Sequence, residues 1–374
     1  MESIPALVIG AGPAGLAVAA CLTRADVDHV VVEQAPALGW SWRNHYERLH
    51  LHTASRTSSL PFMPFPDAFS RYPSRAQVVE YLEAYASAFD IEPRFGRRVT
   101  SLSRGGRGSF VARFEDGDEL AARHVVVASG YNRVPRRPAF PGLDNFAGSV
   151  VHSSEYREGS GYRGRDVLVV GCGNSGGEIA LDLFEHGARP MLVVRGPVHV
   201  QPREFLGVNS QEASLRLARF PRVIADTIGR TIGELLYSDL AQWGIERPKK
   251  GPVSMLVEDG RVPLLDIGTA DLIRQGLVRV VPGVQSFEAD RASFDDGDTL
   301  PVDDVVLATG FTSGLREWVE FADDVLDERE LPRSHGAQAD VAGAFFVGFR
   351  NPVTGALNDI AAQARRVAEA IRSA

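Results

Sequence analysis

Cysteine is nearly missing from this 374-residue chain, which holds only Cys21 and Cys172. Neither sits in a C-x-x-C or metal-ligand spacing. That argues against a disulfide framework, a dithiol redox centre and a metal site. A surplus of positive charge is missing as well. The formal net charge of -8 argues against broad nucleic-acid or anionic-membrane binding, since both need a cationic surface. No low-complexity run occurs, and no apolar run approaches the length of a bilayer span. The N-terminus lacks the basic region and apolar length of a secretory signal, because Met1-Glu2-Ser3 leads straight into Ala6-Leu7-Val8-Ile9. A cytoplasmic protein acting on a small molecule, with neither nucleic-acid nor membrane partners, is therefore expected. Its oligomeric state is left open. What is present is ordinary globular composition, 44% hydrophobic and 24% charged, and enough length for two domains with separate cores.

The strongest signal opens the chain. Pro5 to Ile9 reads as a buried strand, followed by Gly10-Ala11-Gly12-Pro13-Ala14-Gly15 and an apolar helix to about Arg24. A second strand, His29 to Glu33, ends in an acid 18 residues after Gly15. Gly10 permits the tight turn, Gly12 lets backbone N–H groups approach a pyrophosphate, and Gly15 allows close helix–strand packing. The helix N-terminus favours phosphate. Glu33 can accept a hydrogen bond from a ribose diol and would repel a 2′-phosphate, which suits FAD or NAD. The same grammar returns at Asp166 to Val170, followed by Gly171-Cys172-Gly173-Asn174-Ser175-Gly176 and a helix to about His186. The next strand, Met191 to Val194, ends in Arg195. A cation there can pair with a 2′-phosphate and favours NADPH.

A second repeat supports two like-built halves. Phe114-Glu115-Asp116-Gly117-Asp118-Glu119-Leu120 reads as a hairpin with an Asp-Gly turn, ahead of Val125-Val126-Val127-Ala128-Ser129-Gly130. Offset by 180 residues, Phe294-Asp295-Asp296-Gly297-Asp298-Thr299-Leu300 precedes Val305-Val306-Leu307-Ala308-Thr309-Gly310. The fold expected is α/β, with two Rossmann-like dinucleotide-binding domains, the NADPH domain inserted into the FAD domain. The expected FAD domain is discontinuous, 1–145 and 300–374. The expected NADPH domain covers 160–290, with a helical insert near 204–247, and segments 146–159 and 291–299 serve as linkers. In the insert Leu215, Leu217, Ala218, Ile228, Ile232, Leu235 and Leu236 fall at helical spacing. This predicts core packing, or a cap over a substrate pocket.

Phe146-Ala147-Gly148-Ser149-Val150-Val151-His152-Ser153-Ser154-Glu155-Tyr156 fits F-x-G-x-x-x-H-x-x-x-Y. With Leu307-Ala308-Thr309-Gly310-Phe311, it resembles the class B flavin monooxygenases. Tyr156 stands where Baeyer–Villiger relatives usually carry Trp, which favours the flavin-containing monooxygenase side. Arg48-Leu49-His50-Leu51-His52, Leu60-Pro61-Phe62-Met63-Pro64-Phe65-Pro66, Val169 to Gly176, Val200-Gln201-Pro202-Arg203-Glu204 and Leu265-Asp266-Ile267-Gly268-Thr269 resemble the YUCCA branch over nearly the whole chain. Two departures stand out. His52 takes the place of an Asn that many relatives set near the flavin, and Gly177 replaces a larger residue.

The resemblance implies an NADPH-dependent monooxygenase in which NADPH reduces FAD and dioxygen then forms a C4a-(hydro)peroxide on the flavin. Its substrate would be a small organic molecule. The first choice is an aryl 2-oxo acid such as indole-3-pyruvate, with N- or S-oxygenation of a soft nucleophile as the alternative. A disulfide reductase shares the fold plan but needs a redox dithiol. FAD contacts are expected from Gly10, Gly12, Pro13, Ala14, Gly15, Glu33, Gln34, Trp42, Arg43, Val99, Ala128, Gly130, Thr309, Gly310, Leu357 and Asn358. Arg43 would offer donors to the pyrophosphate. The helix after Leu357-Asn358 would point at the flavin pyrimidine edge. NADPH contacts are expected from Gly171, Gly173, Asn174, Ser175, Gly176 and Arg195. His52, His152 and Tyr156 are the candidate catalytic residues. His152 and Tyr156 would hold NADP+ in place, and His52 would hydrogen-bond the oxygenated flavin or substrate.

Overall fold

A computed structural model describes residues 3–374. The chain divides into two compact units. The first takes the chain up to Arg43, then Thr53–Val134 and Phe311–Ala374. Its sheet has the order His29–Val32, Ser3–Ile9, Glu119–Val127, Phe110–Phe114, Val99–Arg104. Ser3–Ile9 lies between two parallel neighbours and is buried from Ala6 to Val8, as its unbroken apolar run requires. Glu119–Val127 does two jobs along its length. Residues 119–122 pair antiparallel with Phe110–Phe114, and residues 125–127 pair parallel with Ala344–Phe346. The Asp-Gly turn forms as expected, with Gly117 at φ +90°. The helix Pro13–Arg24 starts with proline in its first turn, where the missing N–H costs nothing. It is buried from Ala14 to Leu22 and packs against the C-terminal helix Ala356–Arg372.

The second unit holds Asn44–His52 and Pro135–Gly310. Its sheet is parallel, in the order Arg279–Val281, Arg189–Val193, Asp166–Val170, Asp304–Leu307, Ser149–His152. An antiparallel meander of Val284–Phe287, Arg291–Phe294 and Thr299–Pro301 precedes Asp304–Leu307.

Several expected boundaries are corrected here. Segment 146–159 is not a linker, because Ser149–His152 is a sheet strand paired with Asp304–Leu307. Segment 291–299 lies inside the meander. Residues 300–310 belong to the second unit, since Asp304–Leu307 also pairs with Asp166–Val170. Residues 44–52, expected in the first domain, fall in the second. Four-residue strands carry too little periodicity to announce which sheet recruits them.

The insert is helical, Ser210–Leu217 and Arg222–Tyr237, but its apolar residues do not form core. The longer helix buries Asp226 and Gly233, while Ile228 and Leu235 stay 38% and 72% exposed. The Asp226 carboxylate accepts the Val253 and Ser254 N–H groups at 2.8 and 3.1 Å. It thus caps the helix Pro252–Asp259.

Candidate functional site: two dinucleotide cradles

In the first unit the glycines divide by job. A Cβ at Gly10 would lie 2.6 Å from the Ala128 carbonyl oxygen, and one at Gly15 would lie 1.8 Å from the Gly10 oxygen. These two are demanded by the protein's own packing. A Cβ at Gly12 would meet nothing within 4 Å, so its lack of a side chain serves space outside the fold. The helix that follows has no side-chain cap, which leaves its first N–H groups to an anion. Glu33 is locked in place: Oε2 accepts the Ala11 N–H at 2.7 Å and Oε1 accepts the Ala35 N–H at 2.9 Å. Pro13 and Ala14 line the first helical turn, Gln34 is exposed, and Val99 is buried at the head of its strand. Gly130 has φ +78° and open space at its Cβ position. The cradle fits a dinucleotide whose ribose meets a carboxylate.

Two expected contacts are arranged differently. Arg43 lies on the short helix Trp40–Arg43 beside the half-buried Trp42. Its Nε donates to the Leu38 carbonyl at 2.9 Å and its Nη2 pairs with Glu83, so this guanidinium is held by its own unit. At the C-terminal helix Leu357 is buried and Asn358 half-buried. The first turn already contains Asp359, paired with Arg350 at 2.6 and 2.7 Å. The helix dipole there acts on its own carboxylate.

The second unit repeats the cradle. Cβ atoms at Gly171 and Gly176 would fall 2.5 Å from the Ala308 oxygen and 1.9 Å from the Gly171 oxygen, and Gly173 faces open space. Asn174 Oδ1 accepts the Leu265 N–H at 2.8 Å, so this side chain braces the turn. Gly177 is close-packed, a Cβ there falling 2.7 Å from a Leu264 methyl. Arg195 is exposed, and among the described residues no carboxylate pairs with it. The guanidinium is free to meet a phosphate.

His152 and Tyr156 turn inward. His152 is fully buried. Its Nε2 lies 3.1 Å from the Gly310 carbonyl and its Nδ1 2.9 Å from Ser154 Oγ, so Nε2–H donates to Gly310. Burial pushes its pKa down and keeps the ring neutral. Thr309 Oγ1 donates to the Arg136 carbonyl at 2.5 Å, and the carbonyl of Gly310, a glycine at positive φ, also accepts the Arg136 N–H at 2.9 Å. Tyr156 donates to Asp182 Oδ2 at 2.6 Å and stacks on Tyr162. Burial and Asp182 push its pKa far up. Both residues hold the segment together and present no reactive atom to solvent.

His52 is counted in the second unit, with Nε2 3.0 Å from Glu178 Oε1. Around it the stretch Asn44–His52 is tied down. The Glu47 N–H donates to the Arg157 carbonyl at 2.9 Å, Arg48 pairs with Glu185, and Tyr46 joins the second unit's core. Sequence reasoning missed Glu178 and Asp182. The available signal was two acids at i and i+4 within an otherwise apolar helix.

Among the described residues no helix is long and apolar enough to cross a membrane, and no cluster of His, Cys, Asp or Glu could hold a metal ion. The pyridine nucleotide-disulphide oxidoreductase family model matches residues 7–206. The chain is 42% identical over 331 residues to indole-3-pyruvate monooxygenase YUCCA1 of Oryza sativa subsp. japonica, covering 88% of this chain and 82% of that protein. It is 38% identical over 384 residues to probable indole-3-pyruvate monooxygenase YUCCA3 of Arabidopsis thaliana, covering 97% and 86%. In fold it matches a flavin-containing monooxygenase from Stenotrophomonas maltophilia, with a TM-score of 0.75 at 22% identity, covering 100% of this chain and 99% of that one.

Proposed function

The chain belongs to the pyridine nucleotide-disulphide oxidoreductase family and, within it, to the YUCCA-type monooxygenases, and on that premise we propose that its substrate is an aryl 2-oxo acid, indole-3-pyruvate first. It is an FAD-dependent, NADPH-using monooxygenase. The observation that carries the substrate is the 42% identity to an indole-3-pyruvate monooxygenase across most of both chains. The overall change balances: indole-3-pyruvate, dioxygen, NADPH and a proton give indole-3-acetate, carbon dioxide, water and NADP+. Disulfide reductases of this family need a dithiol, and here Cys21 and Cys172 stand singly, one in each glycine-turn unit.

FAD bound in the first cradle supplies hydride acceptance and oxygen activation. The chain's own residues do the rest. The open side of Gly12 admits the FAD pyrophosphate to the uncapped helix terminus. Glu33, pre-held by two backbone N–H groups, accepts from the ribose diol and turns away a 2′-phosphate. In the second cradle the space at Gly173 admits the NADPH pyrophosphate, and Arg195 pairs with its 2′-phosphate. His152 and Tyr156 anchor the segment leading into that cradle by their ties to Gly310 and Asp182.

The test is oxygen uptake by purified FAD-loaded protein with NADPH and indole-3-pyruvate, followed by chromatography of the products. Indole-3-acetate and carbon dioxide in equal amounts are expected. Oxidation of an amine or thioether, with the 2-oxo acid untouched, would replace the substrate proposal. Hydrogen peroxide as sole product with every substrate would remove the oxygenation reading.

A further inference from the structure

The longer insert helix, Arg222–Tyr237, uses one face and leaves the other bare. Inward it turns Asp226, which caps the helix Pro252–Asp259. Gly229 and Gly233 also point inward, since a Cβ there would lie 2.7 Å from Pro252 Cγ and 2.8 Å from Gln201 Nε2. The opposite side of the helix carries Ile224, Ile228, Thr231 and Leu235. All four are exposed, Ile224 at 39% and Leu235 at 72%.

Their spacing of four, three and four residues is the a/d seam of a coiled coil. The threonines do not break it. Thr231 Oγ1 donates to the Thr227 carbonyl at 2.9 Å, and Thr227 Oγ1 to the Val223 carbonyl at 2.7 Å. Both hydroxyls are thus satisfied within their own helix, leaving the methyl groups to the face. Positions 225, 227, 232 and 234 flank the seam, and among seam and flanks Glu234 alone is charged. Charge depletion of this kind marks the centre of a protein interface rather than a solvated surface. Phe220 and Val223, 57% and 66% exposed, extend the apolar area.

The seam is its own complement. Turned end for end about the level between Gly229 and Arg230, Ile224 meets Leu235 and Ile228 meets Thr231. The end charges agree with that turn. Arg219 and Arg222 stand at the start of the helix, and Glu234 and Asp239 at its end, the reverse of what the helix dipole favours. The turn brings Asp239 of one copy level with Arg219 and Arg222 of the other. A parallel pair would set like charges together.

We propose that this face is the interface of a homodimer, in which two copies of Arg222–Tyr237 pack antiparallel across a two-fold axis. The inference does not depend on the substrate.

The test is sedimentation velocity of the FAD-loaded protein over a range of concentrations, followed by flavin absorbance. A dimer is expected. Leu235→Glu should raise its dissociation constant by about a hundredfold or more, because each dimer would bury two unpaired carboxylates. Thr231→Arg is the second variant, and both sites are exposed, so flavin content should hold. Leu277→Glu, at an apolar residue 40% exposed elsewhere in the same unit, should leave the dimer intact. Register is read by cysteine linking. Ile224 and Leu235 stand about 16 Å apart along the helix, so Ile224→Cys and Leu235→Cys proteins should link to each other on oxidation and neither to itself. Self-linking is the mark of a parallel pair and would overturn the arrangement. A wild-type monomer at every concentration would overturn the proposal, as would a dimer indifferent to Leu235→Glu and Thr231→Arg, or one equally weakened by Leu277→Glu. A monomer that floats with phosphatidylserine-containing vesicles, and no longer does so as Leu235→Glu, would give the face to a lipid surface instead.

Discussion

The two cradles are one backbone device built twice. The turn glycines Gly10 and Gly171 sit at φ +109° and +118°. A Cβ at either would stand within 2.6 Å of the carbonyl of the alanine that directly follows a central strand, Ala128 or Ala308. The copies part company where side chains begin. The first helix opens with Pro13 and Ala14, the second with Asn174, whose amide braces Leu265, and Ser175. The first cradle's second strand ends at a carboxylate tied down by two N–H groups. The second cradle's counterpart ends at an exposed arginine. The backbone is shared, and the charge that follows the second strand is opposite in the two copies.

The harshest way to break this likeness is at Gly15 and Gly176. Alanine at either places a methyl within 2 Å of a backbone oxygen, which no rotamer can relieve. Each should cost more than about 3 kcal/mol and lower the thermal midpoint sharply. At neighbouring Gly177 the obstacle is the end of a Leu264 side chain, and alanine should cost only about 1 kcal/mol. Equal losses at Gly176 and Gly177 would refute this distinction.

Gly12→Val and Gly173→Val separate the copies by function. Both side chains enter open space, so both proteins should stay folded. The first should come off the column colourless, and the second yellow but no longer reducible by NADPH. Full flavin in Gly12→Val would remove the first cradle as the FAD site.

Arg195→Ala should narrow the preference for NADPH over NADH. One charge-assisted contact is worth roughly 1.5–3 kcal/mol, or about tenfold to a hundredfold in the ratio of KM values. An unchanged ratio would leave coenzyme choice with another residue.

The smallest effect should be shared by both units. Burial pushes down the pKa of His152 and His199 in the second and of His124 and His335 in the first. Below the ordinary histidine value of 6.5 the unfolded chain takes up protons that these folded rings refuse, so stability falls with pH. It loses nothing to them above that value. Hydrogen exchange followed separately in each unit from pH 7 to pH 5.5 should show both loosening, and loosening in one alone would break the symmetry.

Much of this was legible in the sequence, for definite reasons. Both glycine turns, both Asp-Gly hairpins and the opposite charges of Glu33 and Arg195 are local patterns, with their causes within a few residues. What escaped is non-local. Residues 44–52 join the second unit through Arg157, Glu178, Glu185 and Asn209, all more than a hundred residues away, and nothing in their own spacing says so. Ser149–His152 looked like linker because a four-residue strand is defined by its neighbour. Arg43 suited a phosphate by residue type, but Leu38 and Glu83 hold it. The repeat also differs where the copies looked most alike. Glu119–Val127 runs unbroken, whereas its counterpart stops at Pro301 and resumes at Asp304, because proline brings no N–H to a ladder.

The packing of Pro13–Arg24 against Ala356–Arg372 has a consequence in time. The glycine helix leaves the ribosome before the second unit's main segment, Pro135–Gly310, and its partner helix leaves after it. Every residue of the second unit is available once Gly310 has emerged, with Tyr46 already waiting to fill its core. The first unit still lacks the strand Ala344–Phe346 and its closing helix. The second unit should therefore fold during synthesis while the first waits for Ala356–Arg372 to emerge, its apolar Ala14–Leu22 face uncovered until then. Truncation before Ala356 should yield aggregated chains in which the second unit alone resists protease.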